Sequence, residues 1–394
     1  MDKIRFGIIG CGGRGSGLMH QLFADERVEF TAICDTDSDA LSRGAAAIFK
    51  TYKNTPKEFG NYQDLLDQDD VDAVVVAPPD SLHHEIALAT SKAKKHLFLE
   101  KPVGINLDQM IDIIKARKAA RDEGFITEIG YVLRYAPFYV EMKHMIDAGE
   151  IGRPLFATAL EQYYNPPFFR GWWKLRENTG GIMIQKICHD MDLHYWMFGK
   201  PKRIVAFESS NEFKPGNWPS DAKSCPECTN HCPYYTTSKS TSSDTFECVY
   251  NDPHDVCDNA QVLVKFESGL NLSMGMTFVN SAQQSDRFWR IQGSLAELSG
   301  RLGTGMVRYD ERHDRTGANS KMIKCVGSDT GGHAGGEFFQ MRAFVDGIVE
   351  GHESLAGLES AYWSSILVMG AQISADTETI VKVENLVKKY PFPN

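Results

Sequence analysis

The sequence has no long hydrophobic run: no apolar stretch in its 394 residues approaches the roughly 18 residues that a helix needs to cross a bilayer. We therefore expect no membrane-spanning segment. Positive charge is also scarce, since 42 Lys and Arg stand against 52 Asp and Glu, which gives a formal net charge of −10. An acidic protein repels a phosphate backbone, so we expect no nucleic-acid partner.

The first residues also lack the apolar stretch of a secretory signal, because glycines interrupt it at once. The nine cysteines are an odd number, which is simplest to reconcile with a reduced compartment. We expect a cytoplasmic protein, with two or three domains at this length.

Strand and helix patterns alternate along the first part of the chain. The apolar runs, two of them rich in β-branched residues, cover 4–9, 28–34, 71–77 and 96–99. Helix-like segments separate them, which predicts βαβ units around a parallel sheet. After residue 125 the pattern changes to the apolar–polar alternation typical of antiparallel strands with one covered face. These strands are expected at 154–163, 203–208, 260–266, 270–278 and 288–294, and two later helices at 337–350 and 354–377.

A glycine-rich loop follows the first predicted strand. It reads Gly10-Cys11-Gly12-Gly13-Arg14-Gly15 and fits the pattern G-x-G-x-x-G. In this pattern Gly10 allows a tight turn, Gly12 lets the backbone approach a pyrophosphate, and Gly15 permits close helix packing. The N-terminus of the following helix faces the phosphate charge. Asp35 ends the second strand, where its carboxylate can bind ribose hydroxyls and repels a 2′-phosphate, so we predict NAD rather than NADP.

Two further turns lie at the carboxyl ends of predicted strands, where open α/β sheets bind ligands. They read Pro78-Pro79-Asp80-Ser81-Leu82-His83 and Glu100-Lys101-Pro102. Together with the glycine loop, they resemble the Gfo/Idh/MocA family of NAD(P)-dependent sugar and cyclitol oxidoreductases. The resemblance continues through Gly130-Tyr131-Val132-Leu133-Arg134-Tyr135, Gly149-Glu150-Ile151-Gly152, Gly180-Gly181 and Cys188-His189-Asp190-Met191-Asp192.

The resemblance implies an α/β Rossmann domain with a parallel sheet at 1–125. An α+β domain follows at 126–394, with a large, mostly antiparallel open sheet as the floor of the site. The other face of that sheet commonly joins subunits in this family, which implies a homodimer or homotetramer. The cofactor-binding residues are then Gly10, Gly12, Gly13, Arg14, Gly15, Asp35, Pro79, Asp80, His83, Glu100 and Lys101.

The segment 181–198 carries the candidate chemistry and is predicted to be a helix from residue 182. Lys186, His189 and Asp192 are spaced three apart and share one face of it. Hydride transfer from a carbinol to NAD needs a base for the hydroxyl proton, and histidine suits that task. Asp192 can orient the ring or stabilise its cation. The resemblance assigns proton acceptance to His189 and a hydrogen bond to the reacting oxygen to Lys101.

Gln185 departs from the pattern of many relatives, which have an Asp of the proton relay at this place. A subset of relatives has Glu-Lys ahead of a Cys-containing version of the motif, and Gln185-Lys186-Ile187-Cys188-His189 resembles it. Lys186 can hold a substrate hydroxyl or carboxylate, or lower the pKa of His189 by charge repulsion. The alternative is a buried core histidine without function beside a lysine at a solvent edge.

Other side chains are candidates for substrate contact. Trp172 and Trp173 can stack on a sugar face, or form an aromatic core pair. His333 lies in a glycine-rich loop that resembles a His-Gly-Gly loop able to reach the pocket in relatives. The full set of candidates is Tyr163, Trp172, Trp173, Gln185 and His333.

Five of the nine cysteines lie in a polar stretch at about 211–258, the cysteine-rich insert. Cys225, Cys228 and Cys232 have the spacing C-x2-C-x3-C, and such thiolates can share a structural zinc ion with a fourth ligand from Cys257, Cys248 or His231. Our interpretation places the zinc at Cys225, Cys228, Cys232 and Cys257. Two disulfides, or reduced thiols alone, are the alternatives.

The sequence thus predicts an NAD-dependent dehydrogenase that acts on a ring hydroxyl of a sugar, sugar acid or cyclitol. One alternative is an NAD-dependent glycosidase, which oxidises a ring carbon transiently, eliminates the glycoside and then reduces the product; relatives with this fold include such enzymes. Another is a non-catalytic NAD-binding sensor. The presence of Lys101 and His189 argues against the sensor, whereas Gln185 leaves it open.

Overall fold

A computed structural model describes residues 3–164, 166–237, 245–327 and 332–393. Its first sheet has six parallel strands in the order β3-β2-β1-β4-β5-β6. The strands are β1 (Ile4–Ile9), β2 (Val28–Cys34), β3 (Lys57–Phe59), β4 (Ala73–Val76), β5 (His96–Leu99) and β6 (Thr127–Ile129). The helices between them are α1 (Gly13–Leu22), α2 (Ser38–Tyr52), α3 (Tyr62–Leu66), α4 (His83–Lys92) and α5 (Leu107–Asp122). The predicted parallel α/β arrangement is confirmed.

The central strands of this sheet are buried on both faces, as their continuous apolar runs require. All four residues of β4 are 0% exposed. Strand β6 belongs to this sheet but lies beyond the predicted domain boundary at residue 125. It was not predicted, because three residues are too few to show a period. From the far end of the chain, Phe344 packs edge-on against Phe6 and Phe98. The core of the first sheet therefore includes a helix that lies in sequence between two strands of the second sheet.

The second sheet has nine strands in the order β14-β13-β12-β11-β7-β10-β9-β8-β15, antiparallel except for the pair β7 and β10. The strands are β7 (Pro154–Gln162), β8 (Pro201–Ser209), β9 (Asn259–Phe266), β10 (Asn271–Thr277), β11 (Asp286–Gly293), β12 (Ala296–Arg301), β13 (Met306–Glu311), β14 (Lys321–Lys324) and β15 (Val381–Lys382). The associated helices are α6 (Pro137–Asp147), α7 (Arg176–Thr179), α8 (Cys188–Phe198), α9 (Gly336–Glu350), α10 (Leu358–Thr377) and α11 (Val383–Lys389).

Helices α8 and α10 cover one face of the second sheet. His194 of α8 packs on the buried Trp289 of β11, with ring centroids 4.5 Å apart. Ser374 of α10 accepts a 3.0 Å hydrogen bond from the backbone N–H of Ala206 in β8. The opposite face carries exposed apolar side chains, including Phe207 and Leu263. The predicted one-sided, mostly antiparallel sheet is confirmed.

The cysteine-rich insert lies between β8 and β9 and corrects the zinc prediction. Cys225, Cys228, Cys232 and Cys248 line one small cavity, whereas Cys257 lies beside Glu208 and Arg176. Within the described residues, no group of three or more His, Cys, Asp or Glu side chains is arranged to hold a metal ion. The predicted zinc site is therefore not supported, and these five thiols form no disulfide. Cys257 lies two residues before β9, apart from the other four.

No helix in the part of the chain that the structure describes is long and apolar enough to cross a membrane.

Candidate active site

The glycine loop connects β1 to α1 through a turn that only glycine accommodates well. Gly10 has φ of +92°, and a Cβ atom there would lie 2.6 Å from the backbone of Ala77. A Cβ atom on Gly15 would lie 1.9 Å from the carbonyl oxygen of Gly10, so the helix packs directly on the turn. Around Gly12 and Gly13 the space is open. The loop has the tight turn, the close packing and the open approach that a pyrophosphate needs.

Asp35 lies beside this loop, at the end of β2. Its Oδ2 atom accepts a 2.6 Å hydrogen bond from the N–H of Cys11, and its Oδ1 atom accepts a 2.9 Å bond from the N–H of Asp37. These two bonds fix the carboxylate at the edge of the pocket that the loop opens into. It is held where a ribose diol would lie next to a pyrophosphate on the glycine loop.

Arg14 connects the glycine loop to the Glu-Lys-Pro turn. Its Nε donates a 2.6 Å bond to Glu100, and Nη1 donates to Glu337 at the start of α9. Glu337 also contacts His333, with 2.9 Å between its Oε1 atom and Nδ1 of the ring. Burial would raise the pKa of Glu337, but His333 and Arg14 lower it to about 2. A network of polar contacts therefore extends from the glycine loop to His333.

Pro79, Asp80 and His83 form the turn after β4 and line the same pocket. His83 is buried, and its ring nitrogens face the carbonyl oxygens of Pro102 at 2.7 Å and Pro78 at 3.3 Å. This ring ties together the two turns of the site. Burial raises the pKa of the Asp80 carboxyl to about 8, and its Oδ2 atom has no hydrogen-bond partner among the described residues.

The predicted helix over 182–198 is not one regular α-helix. Residues Met183–Ile187 form a π-helical turn, and α8 begins at Cys188. Such turns hold an extra residue and often occur at functional sites. The carbonyl oxygen of Gln185 in this turn accepts a 2.7 Å hydrogen bond from Nζ of Lys101. The side-chain Oε1 atom of Gln185 is buried without a partner among the described residues, although Gln185 lines the pocket.

His189 follows the π-helical turn and is 3% exposed. Burial lowers the pKa of its ring well below the ordinary value, and the charges of Lys101, His333 and Lys186 lower it further. The imidazole is therefore neutral at pH 7, which is the state that accepts a proton. Its Nδ1 atom is buried and has no hydrogen-bond partner among the described residues. The ring of His333 lies 5.6 Å away, measured between centroids.

No hydrogen bond joins Asp192 to His189 among the described residues, so the predicted orientation of the ring by this carboxylate is not seen. The carboxylate instead receives two hydrogen bonds from Arg134, at 2.6 Å from Nε and 2.8 Å from Nη2. Both side chains are at most 5% exposed. Lys186 lies in the π-helical turn, whose extra residue shifts its register relative to His189 and Asp192, which both lie in α8.

Lys186 belongs to a buried group of charged side chains under the pocket. Its Nζ lies 4.2 Å from the ring centroid of Tyr163 and 3.5 Å from Glu161. Arg287 donates hydrogen bonds to Glu161, Asp190 and the hydroxyl of Tyr163. Burial and Glu161 raise the pKa of Asp190, against the effect of Arg287. Lys186 lines the pocket, whereas half-buried Tyr163 is not among the lining residues, and its contact with substrate stays a prediction.

The pocket has a volume of about 750 Å³ and brings most of the predicted site together. Trp172 and Trp173 line it as a stacked pair with centroids 4.2 Å apart. Phe168, which sequence reasoning missed, lies edge-on to Trp173 in the same wall. The predicted residues on the lining are Gly10, Gly12, Gly13, Arg14, Asp35, Pro79, Asp80, His83, Glu100, Lys101, Trp172, Trp173, Gln185, Lys186, His189 and His333.

The buried charges beneath the pocket were also missed, although the sequence contains a signal for two of them. Glu161 and Arg287 are directly opposite each other on β7 and β11. Both occupy the inward positions of alternating strands, where the other inward residues are apolar. Opposite charges at core-facing positions of two strands indicate a buried ion pair, once the strand pairing is known.

The glycine loop, the parallel sheet and the pocket at its carboxyl edge define a dinucleotide-binding class of protein. A family model described as "Oxidoreductase family, NAD-binding Rossmann fold" matches residues 4–126, and the model of the "GFO/IDH/MocA C-terminal domain" matches residues 139–299. The chain belongs to the Gfo/Idh/MocA family.

Several curated proteins are similar to part of this chain. Inositol 2-dehydrogenase of Salmonella typhimurium is 28% identical over 203 residues, which are 51% of this chain and 56% of that protein. The glycosyl hydrolase family 109 protein 2 of Shewanella sp. (strain MR-4) is 40% identical over 118 residues, which are 29% of this chain and 26% of that protein. The match thus spans about half, or less, of these relatives.

Solved structures match almost the whole chain. The structure of levoglucosan dehydrogenase in complex with NADH and levoglucosan has a TM-score of 0.79 and 16% sequence identity, and the match covers 97% of this chain and 100% of that one. At this identity the likeness shows the fold.

Proposed function

We propose that this protein is an NAD-dependent oxidoreductase that transfers hydride between nicotinamide and a ring hydroxyl of a sugar, sugar acid or cyclitol. The observation that carries the proposal is that Lys101 and His189 line the pocket into which the glycine loop opens. A cation and a neutral imidazole next to a dinucleotide loop are the two groups that carbinol oxidation needs.

The glycine loop and Asp35 would hold NAD, because the open space around Gly12 and Gly13 fits a pyrophosphate and the fixed carboxylate fits a ribose diol. A 2′-phosphate in that place would meet the negative charge of Asp35. We therefore expect tighter binding of NADH than of NADPH. The substitution Asp35→Ala should reduce the difference in affinity between NADH and NADPH.

Bound NAD would accept the hydride, and side chains of the protein would accept and stabilise the proton. The neutral ring of His189 takes the hydroxyl proton of the substrate. The ammonium of Lys101, held by the carbonyl oxygen of Gln185, donates a hydrogen bond to the reacting oxygen. Charge that develops on that oxygen is stabilised by this hydrogen bond.

The substrate is proposed to be a small polyhydroxylated ring. Stacked indoles such as Trp172 and Trp173 suit the apolar face of such a ring. The unpartnered amide oxygen of Gln185 can accept a substrate hydroxyl, and His333 and Lys186 can donate to others. The names of similar curated proteins, inositol 2-dehydrogenase among them, support this class.

An NAD-dependent glycosidase is the second candidate. The 118-residue match to the glycosyl hydrolase family 109 protein favours it, since this is the highest identity among the similar proteins described above. It would use the same hydride chemistry transiently, followed by elimination of the glycoside.

One experiment distinguishes these functions. The purified protein is incubated with NAD and a panel of sugars, sugar acids, inositols and aryl glycosides, while NADH absorbance and aglycone release are recorded separately. Accumulation of NADH supports the dehydrogenase, and aglycone release without net NADH supports the glycosidase. Failure of both reactions, with NADH still bound, would contradict the proposal and indicate a sensor.

A homodimer or homotetramer through the open face of the second sheet is also proposed. Apolar side chains on β7, β8 and β9 are exposed on that face, Phe156, Phe207 and Leu263 at 41%, 63% and 52%. Exposed apolar groups that share one face of a sheet are typical of an interface. Light scattering should give a mass of at least twice that of one chain. The double variant Phe207→Asp, Leu263→Asp should have a lower mass. A monomeric wild type contradicts the proposal. The cytoplasmic location remains a prediction.

A further inference from the structure

We propose that the cysteine-rich insert is the specificity element of the substrate pocket, and that its Glu247 is a positioning residue. Glu247 holds the turn at 170–174 so that Trp172 and Trp173 form the wall against which the substrate ring lies. The inference rests on the proposed function, because it concerns the wall of the same pocket.

The turn at 170–174 is short and has little structure of its own. A single 3₁₀ turn covers Gly171–Lys174, and Gly171 has φ of +58°. Trp172 and Trp173 stack at an interplanar angle of 23°, and Phe168 closes against Trp173 at 88°. A wall built on so short a turn needs contacts from elsewhere to stay in one place.

Glu247 supplies those contacts on both sides of the tryptophan pair. Its Oε2 atom accepts a 2.6 Å hydrogen bond from the N–H of Gly171 and a 2.9 Å bond from Nζ of Lys174. Its carbonyl oxygen accepts a 2.9 Å bond from Nε of Arg170. Burial raises the pKa of the Glu247 carboxyl, but the hydrogen bonds from Lys174 and Gly171 lower it by more. The pKa therefore lies below its ordinary value. The carboxylate is therefore charged at neutral pH.

Other parts of the insert hold the same turn. The Nη2 atom of Arg170 donates a 2.8 Å bond to the carbonyl oxygen of Tyr234, and Lys174 forms an ion pair with Asp252. The N–H of Asp255 donates a 3.2 Å bond to the carbonyl oxygen of Lys174. For residues 170–174, the described hydrogen bonds to distant parts of the chain all end in the insert. The insert therefore supplies the long-range hydrogen bonds of this turn, while Phe168 of the same wall packs on Phe278 after β10.

The cysteines of the insert place Glu247. The N–H of Cys225 bonds to the carbonyl oxygen of Phe246, and the N–H of Cys248 bonds to that of Lys223, both at 2.7 Å. These two bonds involve Phe246 and Cys248, the residues immediately before and after Glu247. Cys225 and Cys248 line one small cavity together with Cys228 and Cys232. The backbone bonds of Cys225 and Cys248 thus hold the segment from which Glu247 reaches the turn.

The described contacts of Glu247 reach the wall, whereas Lys101 and His189 are held by other elements. Loss of the carboxylate should therefore weaken substrate binding without altering the cofactor or proton chemistry. Hydrogen bonds to a charged group contribute enough that their loss raises KM about tenfold. The value of kcat and the affinity for NADH should stay within about twofold.

The test uses the full chain with Glu247→Ala, Glu247→Gln and Glu247→Asp, and Glu227→Ala as the control. Glu227 is an exposed glutamate of the same insert. The measurements are KM and kcat for the best substrate of the panel, NADH affinity by fluorescence, and the circular-dichroism couplet of the stacked indoles. The variant Trp172→Phe should lack the couplet, which shows that the signal comes from this pair of indoles.

We expect Glu247→Ala to lose the couplet and raise KM, with Glu247→Gln intermediate and Glu247→Asp partly rescued. An unchanged couplet in Glu247→Ala would overturn the positioning role. A lost couplet with unchanged KM would overturn the specificity role. If Glu247→Ala does not fold, Glu247→Gln decides by the same two readouts. If the wild type oxidises no substrate, the proposed function fails, while the couplet still tests the position of the wall.

Discussion

The ammonium of Lys101 and the backbone carbonyl oxygen of Gln185 are joined by a hydrogen bond of 2.7 Å. This contact links the turn after the fifth strand of the first sheet to the π-helical turn ahead of His189. It brings a cation close enough to His189 to lower the pKa of the ring. The two residues thus connect the dinucleotide half of the pocket to the proton acceptor.

Removing this cation should abolish most of the activity. We expect Lys101→Met to reduce kcat about 10²–10³-fold, because the charge that develops on the reacting oxygen loses its donor. NADH should still bind, since the glycine loop is unchanged. Steady-state kinetics and fluorescence titration measure the two effects. The control is Lys115→Met at an exposed position of α5, which should behave as the wild type. Similar losses in both variants would show that the effect is not local.

The pH dependence of the reaction should reveal the lowered pKa of His189. Oxidation needs the neutral ring, so its rate falls as the pH drops through the pKa of that ring. Because burial and Lys101 lower this pKa, the fall should lie well below the ordinary 6.5. Lys186→Met removes a repelling charge and should move the fall to higher pH. Profiles of kcat/KM against pH test this, and a wild-type fall centred at pH 7 or above contradicts it.

The buried ion cluster under the pocket should matter far more for stability than a surface pair on the same strand. Arg287→Met leaves the carboxylate of Glu161 without its main partner and should cost about 3–5 kcal/mol. Arg290→Met, on the same strand, loses only a solvent-exposed pair with Glu297 and should cost at most about 1 kcal/mol. Urea denaturation of the two variants gives the comparison. Equal costs would argue against the buried cluster.

His194 should make the protein less stable in acid. Burial lowers its pKa to about 3, and neither ring nitrogen has a hydrogen-bond partner among the described residues. The unfolded chain therefore binds a proton first as the pH falls below 6.5, and stability is lost by about 2 kcal/mol at pH 5. His194→Phe should remove this part of the pH dependence, whatever its effect at pH 7. The control, His144→Phe at an exposed position, should retain the wild-type slope, and equal slopes in both variants would contradict the prediction.

Much of the first sheet could be predicted from the sequence. The strands at 4–9, 28–34 and 96–99 have the predicted bounds, because each is an apolar run between clear turn residues. Strand β6 was missed, since three residues show no period. The packing of α9 on this sheet depends on contacts between distant parts of the chain, which no local pattern displays.

The candidate site could be predicted where a motif fixes the backbone, and not where a tertiary contact decides. The glycine loop and the turn at Lys101 both line the pocket as expected, because the strands before them end at the same edge of the sheet. A hydrogen bond from His189 to Asp192 is not seen among the described residues, because Arg134 binds that carboxylate, and no local pattern shows this competing partner. The zinc interpretation relied on cysteine spacing alone, and Cys257 lies apart from the others.

The most direct test of the account is the fate of the substrate hydrogen. A substrate from the panel, deuterated at its ring carbinol carbons, is incubated with NAD and the wild-type protein, and the NADH formed is analysed by mass spectrometry. The account predicts one deuterium atom in each reduced nicotinamide, and no product with His189→Asn. Reduced nicotinamide without deuterium, or undiminished turnover by His189→Asn, would contradict it.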